Sequence, residues 1–318
     1  MKNLNICIID ATKTFAKEFG KKGGETDFTM YNYKEGDAVL VLYEPHAYPD
    51  KIQSLLHCLN LADSVFWAID KIDSEFAEIA LAIWLCGKPG IIVLNGIGEE
   101  EIAPILSKSP MWQWEKLTDP PLADLRVKIM SQPEHARREK KLAVIDACFT
   151  VGGVGTVALC KIEGGTFRVH DELELAPSMQ MAGIRSIQVQ DVDVKEAAPG
   201  SRAGFALKNV NPEDARRGAY FAEAGLCKKF ISGEAEIEIS PLVKDTIAPG
   251  TDVFFSWGMQ YAVAKLKLDA PISSKMGKKQ AQFALAADAA GYVGQQFLLI
   301  RPDKKPRVIG KGKFVALQ

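Results

Sequence analysis

The chain is predicted to fold as an α/β domain followed by two all-β barrels, and three observations carry that prediction. Residues 1–130 alternate buried-type strands with helical patterns, which implies a mostly parallel sheet covered on both faces. Residues 146–218 hold short β-branched runs, Thr156–Ile162, Thr166–Val169, Ile184–Val189 and Ala203–Leu207, with no helical pattern between them. Turn chemistry at Gly152-Gly153, Gly164-Gly165 and Pro199-Gly200 breaks these runs, as in a small closed barrel. Beyond residue 228, polar and apolar residues alternate in Glu236-Ile237-Glu238-Ile239 and Lys265-Leu266-Lys267-Leu268, leaving one face dry and one wet. The charged, Pro-containing joint Gln132–Lys141 and a second joint near Ala222–Lys229 divide the chain into domains 1–130, 142–224 and 228–318.

In order, Asn5–Asp10 reads as a buried strand, and Asp27–Tyr33 with Ala38–Tyr43 as a strand pair around Gly36-Asp37. Pro49–Ala62 reads as a helix with Pro at its start, Ser64–Ile69 as a strand, and Ser74–Cys86 as a helix ended by Gly87. In that helix Ala77, Leu81 and Trp84 fall at helical spacing, which puts Glu75 and Glu78 on the wet side. Gly90–Leu94 is a strand, and Glu99–Ser107 and Pro120–Ser131 are helices. Trp112 and Trp114 alternate as a strand would place them. In the last domain the strands are Glu234–Ile239, Val253–Phe255, Tyr261–Leu268, Gln282–Ala286, Phe297–Arg301 and Arg307–Leu317.

Composition narrows the function classes. No apolar run approaches the roughly 18 residues of a membrane helix, and the N-terminus MKNLNICIID lacks a signal-peptide core. Six scattered cysteines show no paired spacing for zinc or redox work, so a cytoplasmic location and no metal are expected. Net charge is −1 but uneven: residues 1–130 carry 19 acidic and 13 basic side chains, whereas residues 226–318 carry 8 and 14. A polyanion would favour the last third, where Arg301, Lys304, Lys305, Arg307, Lys311 and Lys313 are the candidate RNA contacts. Lysines solubilising a wet face are the plainer account of the same residues.

The central stretch reads F-x-V-x-G-V-G-T-V from Phe149, V-x-D-E-L-E-L-x-P from Val169, I-R-S-I-Q-V from Ile184 and A-x-P-G-S-R-A-G-x-A-L-K from Ala197. In that order these anchors resemble the second domain of the translational GTPases, the elongation factor Tu superfamily, and within it the archaeal-type selenocysteine-specific factors and their paralogues. The chain's close, RVIGKGKFVAL, is similar to the end of that factor's third domain. The resemblance implies a GTPase-like α/β domain, here short, before two barrels, with tRNA, the ribosome or another translation factor as partner and neither DNA nor membrane.

The nucleotide motifs that this resemblance implies are degraded. A phosphate loop G-x-x-x-x-G-K-[ST] turns successive N–H groups onto phosphate, but here Asp10-Ala11-Thr12-Lys13-Thr14 has no glycine and is three to four residues short. Tyr43-Glu44-Pro45-His46 stands for D-x-P-G-H, with the Asp replaced by Tyr43 or shifted to Glu44; Gly24-Glu25-Thr26 stands for the switch G-x-T, and Asn95-Gly96-Ile97-Gly98 for the guanine-reading N-K-x-D. Lys13, Thr14, Thr26, His46 and Asn95 therefore form a vestigial nucleotide site, with no catalytic residue and no cofactor expected. A divergent site that still takes GTP and magnesium is the alternative, and a protein–protein scaffold is a third reading. The glycines of VGGVGTV precede a strand rather than a helix, so they read as a hairpin and not a phosphate loop. Asp146 and Arg202 match two of three positions of the selenocysteine factors' aminoacyl pocket, the third being Ala147; a surface ion pair fits the same two residues equally.

Overall fold

The computed structural model describes residues 2–244 and 246–318. The chain forms two compact units, one running to His135 and including Ile300–Ile309, the other made of Ala136–Leu299 and Gly310–Gln318. Among the described residues no helix is long and apolar enough to cross a membrane.

The first unit contains, in chain order, β1 (Lys2–Asp10), α1 (Phe15–Phe19), β2 (Lys21–Glu25), β3 (Thr29–Glu35), β4 (Ala38–Glu44), α2 (Ile52–Leu61), β5 (Ser64–Ile69), α3 (Ser74–Cys86), β6 (Gly90–Leu94), α4 (Glu99–Leu106), β7 (Glu115–Thr118) and α5 (Leu122–Ser131). The strands form one sheet in the order β2-β3-β4-β1-β5-β6-β7. β1 pairs in parallel with both β4 and β5, so the direction of strand order reverses at β1. In such sheets ligands bind outside the C-terminal strand ends at that reversal. The central strands β1 and β5 are buried on both faces, with successive side chains pointing to opposite sides. Leu4, Ile6 and Ile8 of β1 pack with Ala16, Phe19, Leu125 and Ile129 on the side of α1 and α5. On the other face Trp67 of β5 stacks on Phe76 of α3 at 4.9 Å.

Local chemistry explains the sharpest boundaries. Asp73 caps α3 by accepting the N–H groups of Glu75 and Phe76, both at 2.9 Å, and Gly87 ends it at φ +65°. Three readings need correction. Pro49 does not start α2, because its carbonyl accepts from Arg307 Nη1 at 2.9 Å and the helix begins at Ile52. Glu78 is not on a wet face: it is fully buried and bonded to Arg307. Trp112 lies in a 3₁₀ turn, Pro110–Gln113, rather than a strand, and Lys116 Nζ sits 4.3 Å from its ring centre.

In the second unit, Glu172–Ala176, Tyr220–Ala222, Leu142–Val151, Gly155–Gly164, Arg202–Lys208 and Gln180–Val189 follow one another round a barrel. Pairing of Glu172–Ala176 with Gln180–Val189 closes it. Phe167, Phe205 and Phe221 fill it, the first two stacked at 5.3 Å. A second closed barrel follows in the order Lys228–Ile239, Lys278–Gly291, Gln260–Lys267, Asp252–Trp257, Gln296–Ile300 and Val308–Leu317. Its core centres on Phe255, stacked on Phe297 at 4.1 Å, and on Phe314. The glycine-rich stretch is a hairpin: Val154 N–H donates to the Val151 carbonyl at 3.0 Å, with Gly153 at φ +74° and Gly155 at φ +88°.

Candidate functional site

The turn after β1 is built around one carboxylate. Asp10 Oδ1 accepts Thr12 N–H at 2.9 Å and the Thr12 hydroxyl at 2.7 Å. Its Oδ2 accepts Thr14 N–H at 2.8 Å and Phe15 N–H at 3.1 Å, with the Thr14 hydroxyl at 3.4 Å. Side-chain anions commonly satisfy the free N–H groups at a helix start. Here one does so at the place where a phosphate loop would present the same donors to a ligand. Asp10 is 6% exposed, so its charge is held inside the turn. Lys13, at φ +54°, does not reach into the turn; its Nζ donates to the His46 carbonyl at 2.9 Å.

The structure thus brings Lys13, Thr14 and His46 together. The His46 ring is held by Thr29, Nδ1 to Oγ1 at 2.9 Å. Glu44, which the motif comparison sets against the Asp of D-x-P-G-H, is buried beside Tyr31, and burial raises its carboxyl above the usual range. Thr26 bonds within its own turn, whereas Asn95 is tied to the end of β5. Thr26 donates its N–H to the Phe28 carbonyl at 2.9 Å and its hydroxyl to Asp27 at 3.0 Å. Asn95 N–H donates to the Ile69 carbonyl at 2.8 Å, and Gly96 follows at φ +70°, where the lysine of N-K-x-D would be strained. The Asp119 carboxylate accepts Gly96 N–H at 3.1 Å. A cleft of about 220 Å³ opens at the ends of β1 and β5, lined among others by Asp10, Lys13, Tyr48, Trp67, Lys71 and Asp73.

Asp146 and Arg202 form a bidentate ion pair, Nε to Oδ2 at 2.8 Å and Nη2 to Oδ1 at 2.9 Å. The pair is not on the surface: the Asp146 side chain is 1% exposed and that of Arg202 13%. A guanidinium committed to two carboxylate oxygens in this way is a poor pocket donor. Beside it Lys161, also 1% exposed, lies 3.3 Å from Glu163 and opposite Arg202 in the strand register. Sequence reading missed this buried lysine; its one signal is its place in the apolar run Val157–Ile162. Burial and the nearby Asp146 charge push the Cys160 thiol well above its usual value.

The six candidate RNA contacts divide between the units, with Arg301, Lys304, Lys305 and Arg307 in the first and Lys311 and Lys313 in the second. Arg307 is not a surface contact, because it is 8% exposed and its guanidinium is bound to Glu78. Lys311 and Lys313 pair in register with Glu238 and Glu236 on the neighbouring strand, which offsets their charge locally. Arg301 is mostly buried and lies 3.9 Å from Asp303, whereas Lys304 and Lys305 are exposed.

Comparison with known proteins places these observations. The family described as elongation factor Tu domain 2 matches residues 155–222. An uncharacterized protein of Methanocaldococcus jannaschii is 32% identical over 318 residues, covering 98% of this chain and all of that protein. The selenocysteine-specific elongation factor of the same organism is 25% identical over 76% of this chain and 57% of its own length. Elongation factor 1-alpha of Pyrobaculum calidifontis is 25% identical over 52% of this chain and 37% of its own length. The chain therefore spans only about a third to just over half of these two named factors. The crystal structure of translation elongation factor SelB from Methanococcus maripaludis, in complex with the GTP analogue GppNHp, superposes with a TM-score of 0.84 at 21% identity. That match covers all of this chain and 80% of that one, and it shows the shared fold.

Proposed function

The chain belongs to the translational GTPase superfamily of elongation factor Tu, related to the selenocysteine-specific factors, and we propose that it acts there as a pseudo-GTPase. In this reading it docks on a translation component in the cytoplasm, a tRNA or the ribosome, without binding or hydrolysing GTP. The observation that supports it is the Asp10 carboxylate, which already takes the N–H groups of Thr12, Thr14 and Phe15. An incoming phosphate would have to displace an anion covalently held at the same donors, and like charges in a partly buried turn repel strongly. Nothing in the remaining turn offsets that cost, since Lys13 is turned to the His46 carbonyl.

The test is titration of the purified chain with a fluorescent guanine nucleotide and magnesium. No saturable binding is expected, and Lys13→Ala should behave as wild type. A dissociation constant in the low micromolar range, competed by GTP, overturns the reading in favour of a divergent GTP-binding factor. Analysis of nucleic acid carried through purification then bears on the partner: enrichment of tRNA or ribosomal RNA supports docking on the translation machinery.

A further inference from the structure

The loop that follows β4, Pro45–Pro49, is tied down on both sides. On one side Lys13 Nζ donates to the His46 carbonyl at 2.9 Å, Thr29 holds the His46 ring, and Ala47 N–H donates to the Asp27 carbonyl at 3.3 Å. On the other side stands Arg307, from the segment Ile300–Ile309 of the same unit. Its Nη1 donates to the Pro49 carbonyl at 2.9 Å, and its guanidinium lies 5.7 Å from the Tyr48 ring centre. Its Nε donates to Glu78 Oε1 and Oε2 at 3.0 and 3.2 Å, its Nη2 to Oε2 at 2.5 Å, and its backbone N–H to Oε1 at 2.7 Å. The Tyr48 hydroxyl donates to the same Glu78 carboxylate at 3.1 Å and to the Glu75 carbonyl at 3.4 Å.

We propose that Arg307 is an intramolecular clamp that fixes Pro45–Pro49 in a single conformation, doing with protein atoms what a terminal phosphate does for a switch loop in a nucleotide-driven protein. Such loops are ordered only while the phosphate contacts last. Here the anchor is a fully buried carboxylate, and a buried charge left without its partner is so costly that the pair cannot open readily. The fork of Arg307 spends three of its donor positions on two elements at once, the loop and α3. Every contact that holds the loop is made by groups of the protein itself, so the loop's shape is expected not to respond to nucleotide. The clamp itself, Arg307 with Glu78, Tyr48 and Pro49, uses no atom of the Asp10 turn; only the tie from Lys13 does.

Amide hydrogen exchange on the full chain tests it. In wild type the amides of His46, Tyr48 and Lys51, bonded to the carbonyls of Glu44, Pro45 and Ala47, should exchange slowly and at the same rate with and without GTP and magnesium. Arg307→Lys keeps the charge but loses the fork, and should speed their exchange on the order of tenfold or more. The amides of Ile145 and Phe314 in the barrels, bonded to Ala219 and Gln295, serve as folding controls and should not change. Arg307→Lys that folds, with the loop still protected as in wild type, overturns the clamp. Wild-type loop amides that exchange as in a free peptide overturn it without any variant. Protection that changes on adding GTP overturns it too, whereas GTP binding with unchanged protection overturns only the pseudo-GTPase reading.

Discussion

The turn after β1 is organised by a single residue, Asp10. Its two oxygens accept from three backbone N–H groups and from the Thr12 hydroxyl, so Asp10→Ala removes the acceptor that caps this turn, leaving the exposed donors of Thr12 and Thr14 and the half-buried one of Phe15 to water. The expected loss is roughly 0.5–2 kcal/mol, that of a lost helix cap, read as a lower midpoint in denaturant. Asp10→Asn keeps one acceptor oxygen and should lose less. Equal stability of Asp10→Ala and wild type would show that the carboxylate does not organise the turn. The sequence shows a negative charge at this turn, but not that its carboxylate gathers the N–H groups of the turn. That gathering depends on the curl of Thr12–Phe15 back onto Asp10, which no local pattern reveals. Spacing along the chain likewise does not report that Lys13 reaches the His46 carbonyl, or that Thr26 bonds to Asp27 and Phe28 while Asn95 bonds to Ile69 of β5.

At the level of elements, legibility follows how local the determining chemistry is. β5, α3 and β6 begin and end where the sequence puts them, because Asp73 and Gly87 are a cap and a left-handed stop inside the segment itself. Glu78 was misplaced because its partner lies 229 residues away and spacing along α3 cannot report it. This pair sets a pH dependence. Burial raises the Glu78 carboxyl, but the hydrogen bonds and charge of Arg307, with help from the Tyr48 hydroxyl, outweigh it and hold the carboxyl below its ordinary value. A lowered folded-state value means the pair stabilises fully above the ordinary glutamate range, and that this stability is lost as pH falls through the lowered value. Removing one partner of a buried pair costs roughly 3–5 kcal/mol, so Glu78→Gln should lie well below wild type in melting temperature at neutral pH. The gap should narrow in acid; a gap constant with pH would show that Glu78 is not ionised in the fold. The barrel hairpin makes a second test. Gly153 and Gly155 sit at φ +74° and +88°, whereas Gly152 does not have a positive φ. Valine at either of the first two should cost roughly 1–3 kcal/mol through backbone strain, and valine at Gly152 much less. Equal effects at all three positions would mean that φ does not decide them.

For the whole molecule the open question is where a phosphate backbone could touch. The last third carries the positive excess in the sequence, 14 basic against 8 acidic residues, but folding redistributes it. Arg307 is spent on Glu78, Lys311 and Lys313 stand beside Glu238 and Glu236, and Arg301 lies near Asp303. Lys304 and Lys305 remain exposed on the segment Ile300–Ile309, so an RNA contact by this set should depend chiefly on them. Each phosphate contact contributes roughly 0.7–0.9 to the slope of log affinity against log salt. Lys304→Gln/Lys305→Gln should therefore weaken tRNA or ribosomal RNA binding and flatten that slope by about two such contacts, with the melting temperature unchanged. Binding measured by filter retention across a salt series checks it. If affinity and slope match wild type, the contact lies elsewhere on the chain. If neither wild type nor variant binds RNA at low salt, the protein–protein scaffold reading takes precedence, because counterion release makes even non-specific binding strongest under those conditions.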